Sequence, residues 1–251
     1  MQQLFKHIRQ LVGSDNPVLD HVASYYFRQP GKHFRPLVVY LVGSASQSSG
    51  VPCEGQASFM APHLRSQPCL TRARQARLAQ ITEIIHVASL IHDDVVDDGA
   101  TRRGITTLNA AHGSKTAVLA GDFLLARARC VRPHTLRMCR GLTPLSLALS
   151  RIGNLEVVEL LSNVIAHLVE GEIMQMSNKA SPAASFSMDR YLQKSFLKTA
   201  SLIAHAAKAS ALLGSYDEPI ARAQADLAYE YGKHIGLACV HADAATQHAC
   251  R

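Results

Sequence analysis

Residues 81–104 carry the strongest signal in this chain, and they read ITEIIHVASLIHDDVVDDGATRRG. Apolar residues recur there at the helical spacing, at Ile81, Ile84, Ile85, Ala88 and Val95. This period predicts a helix over 72–98 with one buried face. A second stripe of the same helix carries the polar residues His86, Ser89, Asp93 and Asp97.

The acidic end of this helix is typical of a site for Mg²⁺ and a diphosphate. Asp93 and Asp97 are four residues apart, so they share a helix face where like charges repel. Carboxylates on one face suit Mg²⁺, whose site is completed by waters and substrate phosphates. Arg102 and Arg103 follow, and guanidinium groups bind phosphate oxygens in pairs. A solvated acidic helix end is the alternative, which the apolar flank 88–91 disfavours.

Other segments hold further candidates for anion binding. Lys32 and Arg35 follow a Pro-Gly turn near a helix start, a place that suits an anion or is an ordinary charged turn. His86 lies two turns before Asp93, as a ligand or as a core histidine. Lys198 lies within an apolar helix. A lysine there either points at an anion or reaches the solvent with its ammonium group. Glu172 and Gln175 are polar positions that end another apolar helix, with a frayed helix end as the alternative.

Composition excludes several broad classes of protein. The chain has 251 residues, 47% of them hydrophobic, which supports a buried core and argues against long disorder. It contains no long uncharged apolar run and no signal-peptide core, so neither a membrane span nor secretion is expected. The formal charge of +7 suits nucleic acid, an anionic membrane or a phosphorylated small molecule. Absence of Trp weakens the nucleic-acid alternative, since base stacking needs aromatic platforms.

The rest of the chain reads as helix without useful strand alternation, which predicts an all-α fold. The predicted helical segments are 1–27 with a break near 13–17, 36–42, 113–128, 155–177, 188–214 and 218–238. Three segments lack the period, namely 44–70, 129–145 and 239–251, and they hold all six cysteines. No CxxC pair occurs, so free thiols are expected rather than a zinc site.

Five motifs occur in a fixed order along the chain. They are Gly31-Lys32-x-x-Arg35-Pro36, Leu90-Ile91-His92-Asp93-Asp94-x-x-Asp97 followed by Arg102-Arg103-Gly104, Ala120-Gly121-Asp122-Phe123-Leu124, Gly171-Glu172-Ile173-Met174-Gln175-Met176, and Leu197-Lys198-Thr199-Ala200. Together they resemble the trans-prenyl diphosphate synthase family, and most closely its long-chain polyprenyl members of ubiquinone biosynthesis. The resemblance implies antiparallel helices around a central cavity, and condensation of isopentenyl diphosphate with an allylic diphosphate in the presence of Mg²⁺.

The resemblance also implies roles for individual residues. It implies that Asp93 and Asp97 bind Mg²⁺, with Asp94 in support. It implies that Arg102 contacts the allylic diphosphate, and that isopentenyl diphosphate is held by Lys32, Arg35, His86 and Arg103. It places Lys198, Thr199 and Gln175 along the reaction centre, near the allylic diphosphate.

Beyond the site, the resemblance implies partners, a compartment and a product. A homodimer or a heteromer with a related synthase is expected, with contact to a membrane surface for product release and no nucleic acid. The compartment implied is the mitochondrion, and otherwise the cytoplasm. Ala88 and Ser89, one turn before Asp93, are small where bulky aromatic residues stop chain growth in the family. A long product is therefore expected.

The chain departs from the family pattern after Ala238. The family-like run 232–238 is followed by Cys-Val-His-Ala-Asp at 239–243, where a second aspartate-rich motif is expected. We therefore expect a synthase domain over 1–238, with irregular inserts at 44–70 and 129–145, an off-pattern tail at 239–251 and an incomplete C-terminal part. An alternative splice product or a gene model with retained intron would explain the three segments.

Two alternative functions stay open at this point. One is a catalytically incomplete isoform or subunit that dimerises with a full-length synthase. The other is a His-Asp metal phosphohydrolase built on His86, His92 and Asp93, which needs further His and Asp ligands in a suitable order.

Overall fold

The computed structural model describes residues 2–29, 33–46, 67–102, 104–129, 152, 154–180, 187–214 and 218–249. The helices are α1 (Gln2–Val12), α2 (Pro17–Ala23), α3 (Phe34–Ala45), α4 (Gln67–Val96), α5 (Leu108–His112), α6 (Ser114–Arg129), α7 (Leu155–Ala180), α8 (Met188–Ser195), α9 (Ser201–Gly214) and α10 (Glu218–Ala249). A 3₁₀ turn covers Tyr26–Arg28, and a π-helical segment covers Phe196–Ala200. The all-α prediction is confirmed.

One small hairpin was not predicted. Strand β1 (Thr101–Arg102) pairs antiparallel with β2 (Ile105–Thr106), with Arg102 opposite Ile105. Two-residue strands are too short to show alternation in a sequence. The turn between them contains Gly104 at φ 79°, a left-handed conformation that glycine adopts without steric strain.

The helix α10 continues past its predicted end at residue 238 and runs to Ala249. Residues 239–249 lack an apolar stripe, which is why the sequence pattern ended the helix too early. They contain neither Gly nor Pro and are rich in Ala, the strongest helix former. Local propensity therefore continues the helix where the amphipathic pattern stops.

The two internal segments without a helical period lie mostly outside the described residues. Helix α3 extends to Ala45 and helix α4 starts at Gln67, so both edges of the 44–70 segment are helical where a loop was predicted. Arg129 likewise ends helix α6 instead of opening an irregular segment. Residues 47–66 and 130–145 are not described.

The chain divides into two compact units. The first comprises Met1–Phe34 and Gln80–Asn154, and the second comprises Arg35–Ala79 and Leu155–Arg251. The first unit buries large aliphatic side chains, including Ile8, Val12, Val22, Ile84, Ile91 and Leu124. The second buries many small ones, with a cluster of Val38, Ile203, Ala207, Ala211, Ala225 and Ala228. Small side chains let helix backbones approach closely, so helix spacing in the second unit depends on alanine and glycine.

Two glycines of α10 bring this helix against the π-helical segment and α9. A Cβ atom on Gly236 would lie 2.5 Å from Ala200 Cα, and one on Gly232 would lie 2.8 Å from Ala204 Cα. Both distances are shorter than Cβ contacts in proteins, so no larger residue fits without movement of a backbone. The glycines of the family-like run 232–238 are thus explained by packing.

The π-helical segment interrupts the helix predicted over 188–214. Phe196–Ala200 form it between α8 and α9, and it contains Lys198 and Thr199. Single π-helical turns insert one residue into a helix and are frequent at functional sites. A period-based prediction reads the segment as α-helix, because one inserted residue leaves the apolar pattern nearly intact.

No helix within the described ranges is long and apolar enough to cross a membrane. Cys239, whose side chain is described, is a free thiol as expected.

A buried histidine, His205, lies beside the partly buried His167 in the second unit. His205 is 7% exposed, and its Nδ1 lies 2.8 Å from the Ser201 carbonyl oxygen. Its ring packs 5.4 Å from that of His167 and 5.2 Å from that of Tyr229. Burial lowers the pKa of His205, the charges of His167 and Lys208 lower it further, and the Ser201 carbonyl opposes them.

This lowered pKa predicts a loss of stability in acid. The pKa of His205 in the folded chain lies below its ordinary value of 6.5. Below that pH, the unfolded chain therefore binds a proton at this residue more readily than the folded chain does, which favours unfolding. The free energy of unfolding should fall as the pH drops below that value, and it should fall less in His205→Asn. Denaturant titrations at pH about 7.5 and about 5.5 measure this difference. His234→Asn, at an exposed histidine, is the control, and an equal pH dependence in wild type and His205→Asn would contradict the prediction.

Candidate functional site

The acidic end of α4 presents two carboxylates one turn apart. Asp93 is partly exposed and Asp97 is exposed, and the Asp97 amide donates to the Asp93 carbonyl over 2.9 Å. Helix α4 ends at Val96, and Asp98 then turns the chain at φ 49°. The C-terminal end of a helix carries a partial negative charge, which adds to that of the aspartates. This end of α4 therefore attracts cations.

Asp94 faces a different direction from its two neighbours. It is only 5% exposed, and its Oδ2 accepts a hydrogen bond of 2.6 Å from the Tyr26 hydroxyl. Arg102 donates to the same carboxylate through Nε at 2.9 Å and 3.1 Å, and Arg102 Nη2 lies 2.8 Å from Asp94 Oδ1. The supporting role in Mg²⁺ binding predicted for Asp94 stays a prediction, and its carboxylate here holds an arginine and a tyrosine.

The hairpin that carries Arg102 is tied to the end of α4. The Thr107 amide donates to the Ala100 carbonyl over 3.0 Å and closes the hairpin base. The side-chain amide of Asn109 donates to the Asp94 carbonyl over 3.2 Å. Tyr25 donates its hydroxyl to the Thr106 carbonyl over 2.8 Å. These bonds fold the hairpin back, so that Arg102 reaches the aspartates.

The pKa of two groups in this cluster is shifted. Burial and the hydrogen bond to Asp94 raise the pKa of Tyr26, so the hydroxyl stays protonated and donates. Burial opposes the charge on Arg102, but hydrogen bonding and the charge of Asp94 outweigh it and raise the pKa of the guanidinium. Arg102 is thus cationic and Asp94 is its counter-ion.

The ring of His92 packs against the helix that carries the motif at residues 120–124. Its Nε2 lies 3.3 Å from the Val118 carbonyl oxygen and 3.5 Å from Asp122 Oδ1. A Cβ atom at Gly121 would collide with the His92 ring, so a larger residue fits there only if that ring moves. Helix α6 therefore contacts α4 directly beside Asp93.

Two small residues precede Asp93 on α4. Ala88 is fully buried, and Ser89 is partly buried with its hydroxyl donating to the His86 carbonyl over 2.8 Å. This internal hydrogen bond satisfies the only side-chain polar group of Ser89. His86 itself is partly buried.

The second unit contains a closed triangle of polar side chains around Lys198. Lys198 Nζ lies 2.5 Å from Glu172 Oε2 and donates to Gln175 Oε1 over 3.1 Å. Gln175 Nε2 donates to Glu172 Oε1 over 3.3 Å. The side chains of Lys198 and Glu172 are 21% and 14% exposed, so this ion pair is stronger than one at the surface. Thr199, the next residue, is partly exposed.

Gly171 lets α7 reach the backbone that carries Lys198. A Cβ atom on Gly171 would lie 2.9 Å from the Lys198 amide nitrogen and 3.2 Å from its Cα. On the same face of α7, His167 Nδ1 lies 2.8 Å from Ser201 Oγ, just past the π-helical segment. Both contacts fix the segment against α7, and with it the direction of the Lys198 side chain.

The site residues predicted from sequence thus fall into two groups. Asp93, Asp94, Asp97 and Arg102 come together in the first unit, and Gln175 and Lys198 come together in the second. Arg35 lies partly exposed in the first turn of α3, and Lys32 and Arg103 lie outside the described residues.

Two residues of these clusters were missed as candidates, namely Tyr26 and Asn109. No sequence signal indicates them, because their contacts join segments distant in sequence. Glu172 was noted with Gln175, three residues later on the same helix face, but it was given no role.

The donor set at the end of α4 fits Mg²⁺ held together with a diphosphate. Within the described ranges, no group of three or more His, Cys, Asp or Glu side chains could hold a metal ion alone. Two carboxylates on one helix face instead match the way Mg²⁺ binds, through one or two carboxylates with waters and phosphates. Asp93 and Asp97 therefore suit a cation that a substrate completes.

Comparison with known proteins decides the family. Residues 16–243 match the polyprenyl synthetase family. The chain belongs to this family. Among curated relatives, the probable mitochondrial hexaprenyl pyrophosphate synthase of Neurospora crassa is 40% identical over 95% of this chain and 55% of its own length. The mitochondrial solanesyl-diphosphate synthase 1 of Oryza sativa is 43% identical over 94% of this chain and 49% of its own. The chain thus spans about half the length of these polyprenyl synthetases.

Solved structures share the fold. A decaprenyl diphosphate synthase from Rhodobacter capsulatus has a TM-score of 0.70 and 27% identity, over 95% of this chain and 60% of that one. A polyprenyl synthase from Caulobacter crescentus, complexed with calcium and isoprenyl diphosphate, has a TM-score of 0.73 and 27% identity over 98% of this chain and 61% of that one. The isoprenoid-synthase-like helical fold expected from the motifs is confirmed.

The close approach at Gly171 predicts that Gly171→Ala is destabilising. The new methyl group meets backbone atoms of Lys198, which cannot rotate away, so α7 or the π-helical segment must shift. This should lower the free energy of unfolding by about 1–3 kcal/mol, more than the gain in helix propensity of roughly 1 kcal/mol from Gly to Ala. Denaturant titration measures the difference.

Gly13→Ala is the matched control for Gly171→Ala. Its Cβ would meet its nearest neighbour, Asp20 Oδ1, at an ordinary 3.4 Å. A Gly171→Ala chain as stable as the wild type, or no less stable than Gly13→Ala, would show that the close approach is absent.

Proposed function

We propose that this chain is a Mg²⁺-dependent prenyltransferase, which condenses isopentenyl diphosphate with an allylic diphosphate to a long-chain polyprenyl diphosphate. The observation that carries this proposal is the end of α4, where Asp93 and Asp97 share one face beside the cationic Arg102. Membership of the polyprenyl synthetase family and the Caulobacter crescentus neighbour, which binds calcium and isoprenyl diphosphate, support it.

In the first unit, Asp93 and Asp97 would hold Mg²⁺, and Arg102 would bind the allylic diphosphate. When bound, Mg²⁺ would neutralise charge on the diphosphate leaving group. Arg102 presents a planar guanidinium, which binds phosphate oxygens in pairs and keeps its charge at any physiological pH. Without such cations, the acidic end of α4 would repel a diphosphate, which makes the pairing of aspartates with arginine a functional requirement.

In the second unit, Lys198, Thr199 and Gln175 are proposed to line the reaction centre, as the family resemblance implies. Lys198 is paired with Glu172 and Gln175 in the ligand-free chain, so its ammonium group is directed before substrate arrives. The diphosphate would compete with Glu172 for this charge. Lys32, Arg35, His86 and Arg103 are proposed to bind isopentenyl diphosphate, as the family resemblance implies.

The reaction breaks the bond between C1 and the diphosphate oxygen of the allylic substrate. The diphosphate leaves, the isopentenyl double bond attacks C1, and a proton is then lost from the new chain. Arg102 would act by stabilising the charge on the leaving group and by fixing its position. Side chains that exclude water would protect the allylic cation character from hydrolysis.

Assembly and location follow from the family as proposals. A homodimer or a heteromer with a related synthase is proposed, with contact to a membrane surface for product release. Mitochondrial placement is proposed because the relatives from Neurospora crassa and Oryza sativa carry that location in their names.

Incorporation of labelled isopentenyl diphosphate tests the proposed reaction. With Mg²⁺ and farnesyl or geranylgeranyl diphosphate as primer, we expect a polyprenyl product from the wild type. Asp93→Ala should lower the rate by about 100-fold or more, because a carboxylate that holds the metal is lost. Asp15→Ala, at an exposed aspartate away from α4, is the matched control and should keep full activity.

The alternative of a non-catalytic subunit is decided by the same assay. The chain would be a non-catalytic subunit if it folds but shows no turnover, co-purifies with a full-length synthase and raises the rate of that synthase. Its motivation is the sequence at 239–243, which lacks the expected second aspartate-rich motif.

A bulkier residue at position 89 should shorten the product. Ser89 is small, partly buried and one turn before Asp93, so Ser89→Phe should place a ring in the direction of chain growth. We expect the product distribution, read by chromatography, to move to shorter chains. Ser89→Ala should leave it unchanged, and an unchanged distribution in Ser89→Phe would contradict a role for this position.

A further inference from the structure

We propose that Tyr26 and Asp94 are positioning residues, which orient Arg102 for the allylic diphosphate, and that Asp94 does so in place of binding metal. This inference rests on the proposed function, since it concerns how the same substrate is held. The observation behind it is the chain of contacts from the Tyr26 hydroxyl through the buried Asp94 carboxylate to the Arg102 guanidinium.

Both oxygens of Asp94 have partners. Oδ2 accepts from the Tyr26 hydroxyl and from Arg102 Nε, and Oδ1 accepts from Arg102 Nε and lies 2.8 Å from Nη2. The side chain of Asp94 is 6% exposed, whereas Asp97 is exposed and Asp93 partly so. A metal ion at Asp94 would have to displace a charged arginine and a buried hydroxyl.

The way in which Arg102 is held leaves it able to bind an anion. A guanidinium has five N–H donors in a planar fork, and Asp94 uses the edge formed by Nε and one hydrogen of Nη2. The opposite edge, with Nη1 and the other hydrogen of Nη2, remains for a second bidentate partner. The side chain is 30% exposed, so that edge can be reached. Asp94 thus aligns one edge of Arg102 and thereby directs the other.

Tyr26 fixes the carboxylate that fixes the arginine. Its hydroxyl donates to Asp94 Oδ2 and accepts from the Leu108 amide over 3.3 Å, so its own position is determined by α5. Without this hydroxyl, the Asp94 carboxylate could rotate and pair with Arg102 in more than one way. The Tyr26 hydroxyl is therefore predicted to act on substrate binding only through Arg102.

Binding of farnesyl diphosphate to the full chain, measured by calorimetry with Mg²⁺, tests this prediction. Tyr26→Phe keeps the ring and its packing and removes only the hydroxyl. We expect it to weaken farnesyl diphosphate binding by about tenfold in the wild-type background and to have no effect in an Arg102→Ala background. Tyr231→Phe is the matched control, because Tyr231 is an exposed tyrosine on α10 and takes no part in this chain of contacts.

The Mg²⁺ concentration that gives half-maximal farnesyl diphosphate binding separates positioning from metal binding. Asp93→Asn should raise this midpoint, whereas Asp94→Asn and Tyr26→Phe should weaken farnesyl diphosphate binding with the midpoint unchanged. A midpoint raised by Asp94→Asn as much as by Asp93→Asn would make Asp94 a metal ligand. Equal effects of Tyr26→Phe with and without Arg102 would make Tyr26 merely structural. Either result overturns the proposal.

The outcomes also distinguish this inference from the proposed function. Farnesyl diphosphate binding that depends on Tyr26 through Arg102, without incorporation of isopentenyl diphosphate, supports the positioning role and rejects the enzyme. If Tyr26→Phe turns over substrate with an unchanged KM for farnesyl diphosphate, the result supports the proposed activity and rejects the positioning role. A wild-type chain that shows neither binding nor turnover rejects both.

Discussion

The ion pair between Asp94 and Arg102 is the interaction on which the first unit's candidate site depends. A carboxylate that is 5% exposed is strongly destabilising unless a cation and hydrogen bonds compensate it. Arg102 can compensate Asp94 only if the hairpin folds back over the end of α4. The hairpin, the turn at Asp98 and the Asn109 bond to the Asp94 carbonyl are therefore consequences of burying one charge. Loss of either partner would leave the other charged and poorly solvated.

The second unit contains a similar ion pair made by different residues. Lys198 is held by Glu172 as Arg102 is held by Asp94, and in both cases the carboxylate is more buried than the cation. A paired cation keeps its direction and its charge in the absence of ligand, and a less buried one can still exchange partners. Under the proposed function, a diphosphate would compete for these cations, because it carries more charge than a single carboxylate.

The helical fold could be predicted from sequence, as could the position of Asp93 and Asp97 on one helix face, because both repeat at short spacing. The apolar period from Ile81 to Val95 defines α4, and Asp93 with Asp97 follows from the same period. The contacts of Tyr26 and Asn109 could not be predicted, since they join segments that the chain brings together only on folding. The π-helical segment was missed because one inserted residue hardly changes the period, and the end of α10 because alanine sustains a helix without an apolar face.

Asp93 and Asp94 are adjacent in sequence, but their side chains point in different directions. Neighbouring residues of an α-helix point roughly 100° apart, so two consecutive carboxylates cannot serve one face. Asp97 repeats the direction of Asp93 one turn later, whereas Asp94 points into the unit, toward Tyr26. An acidic pattern of this kind therefore encodes both an outward pair that attracts cations and an inward anchor. The inward anchor holds the Arg102 guanidinium through hydrogen bonds, and in the proposed function the outward pair would hold the metal.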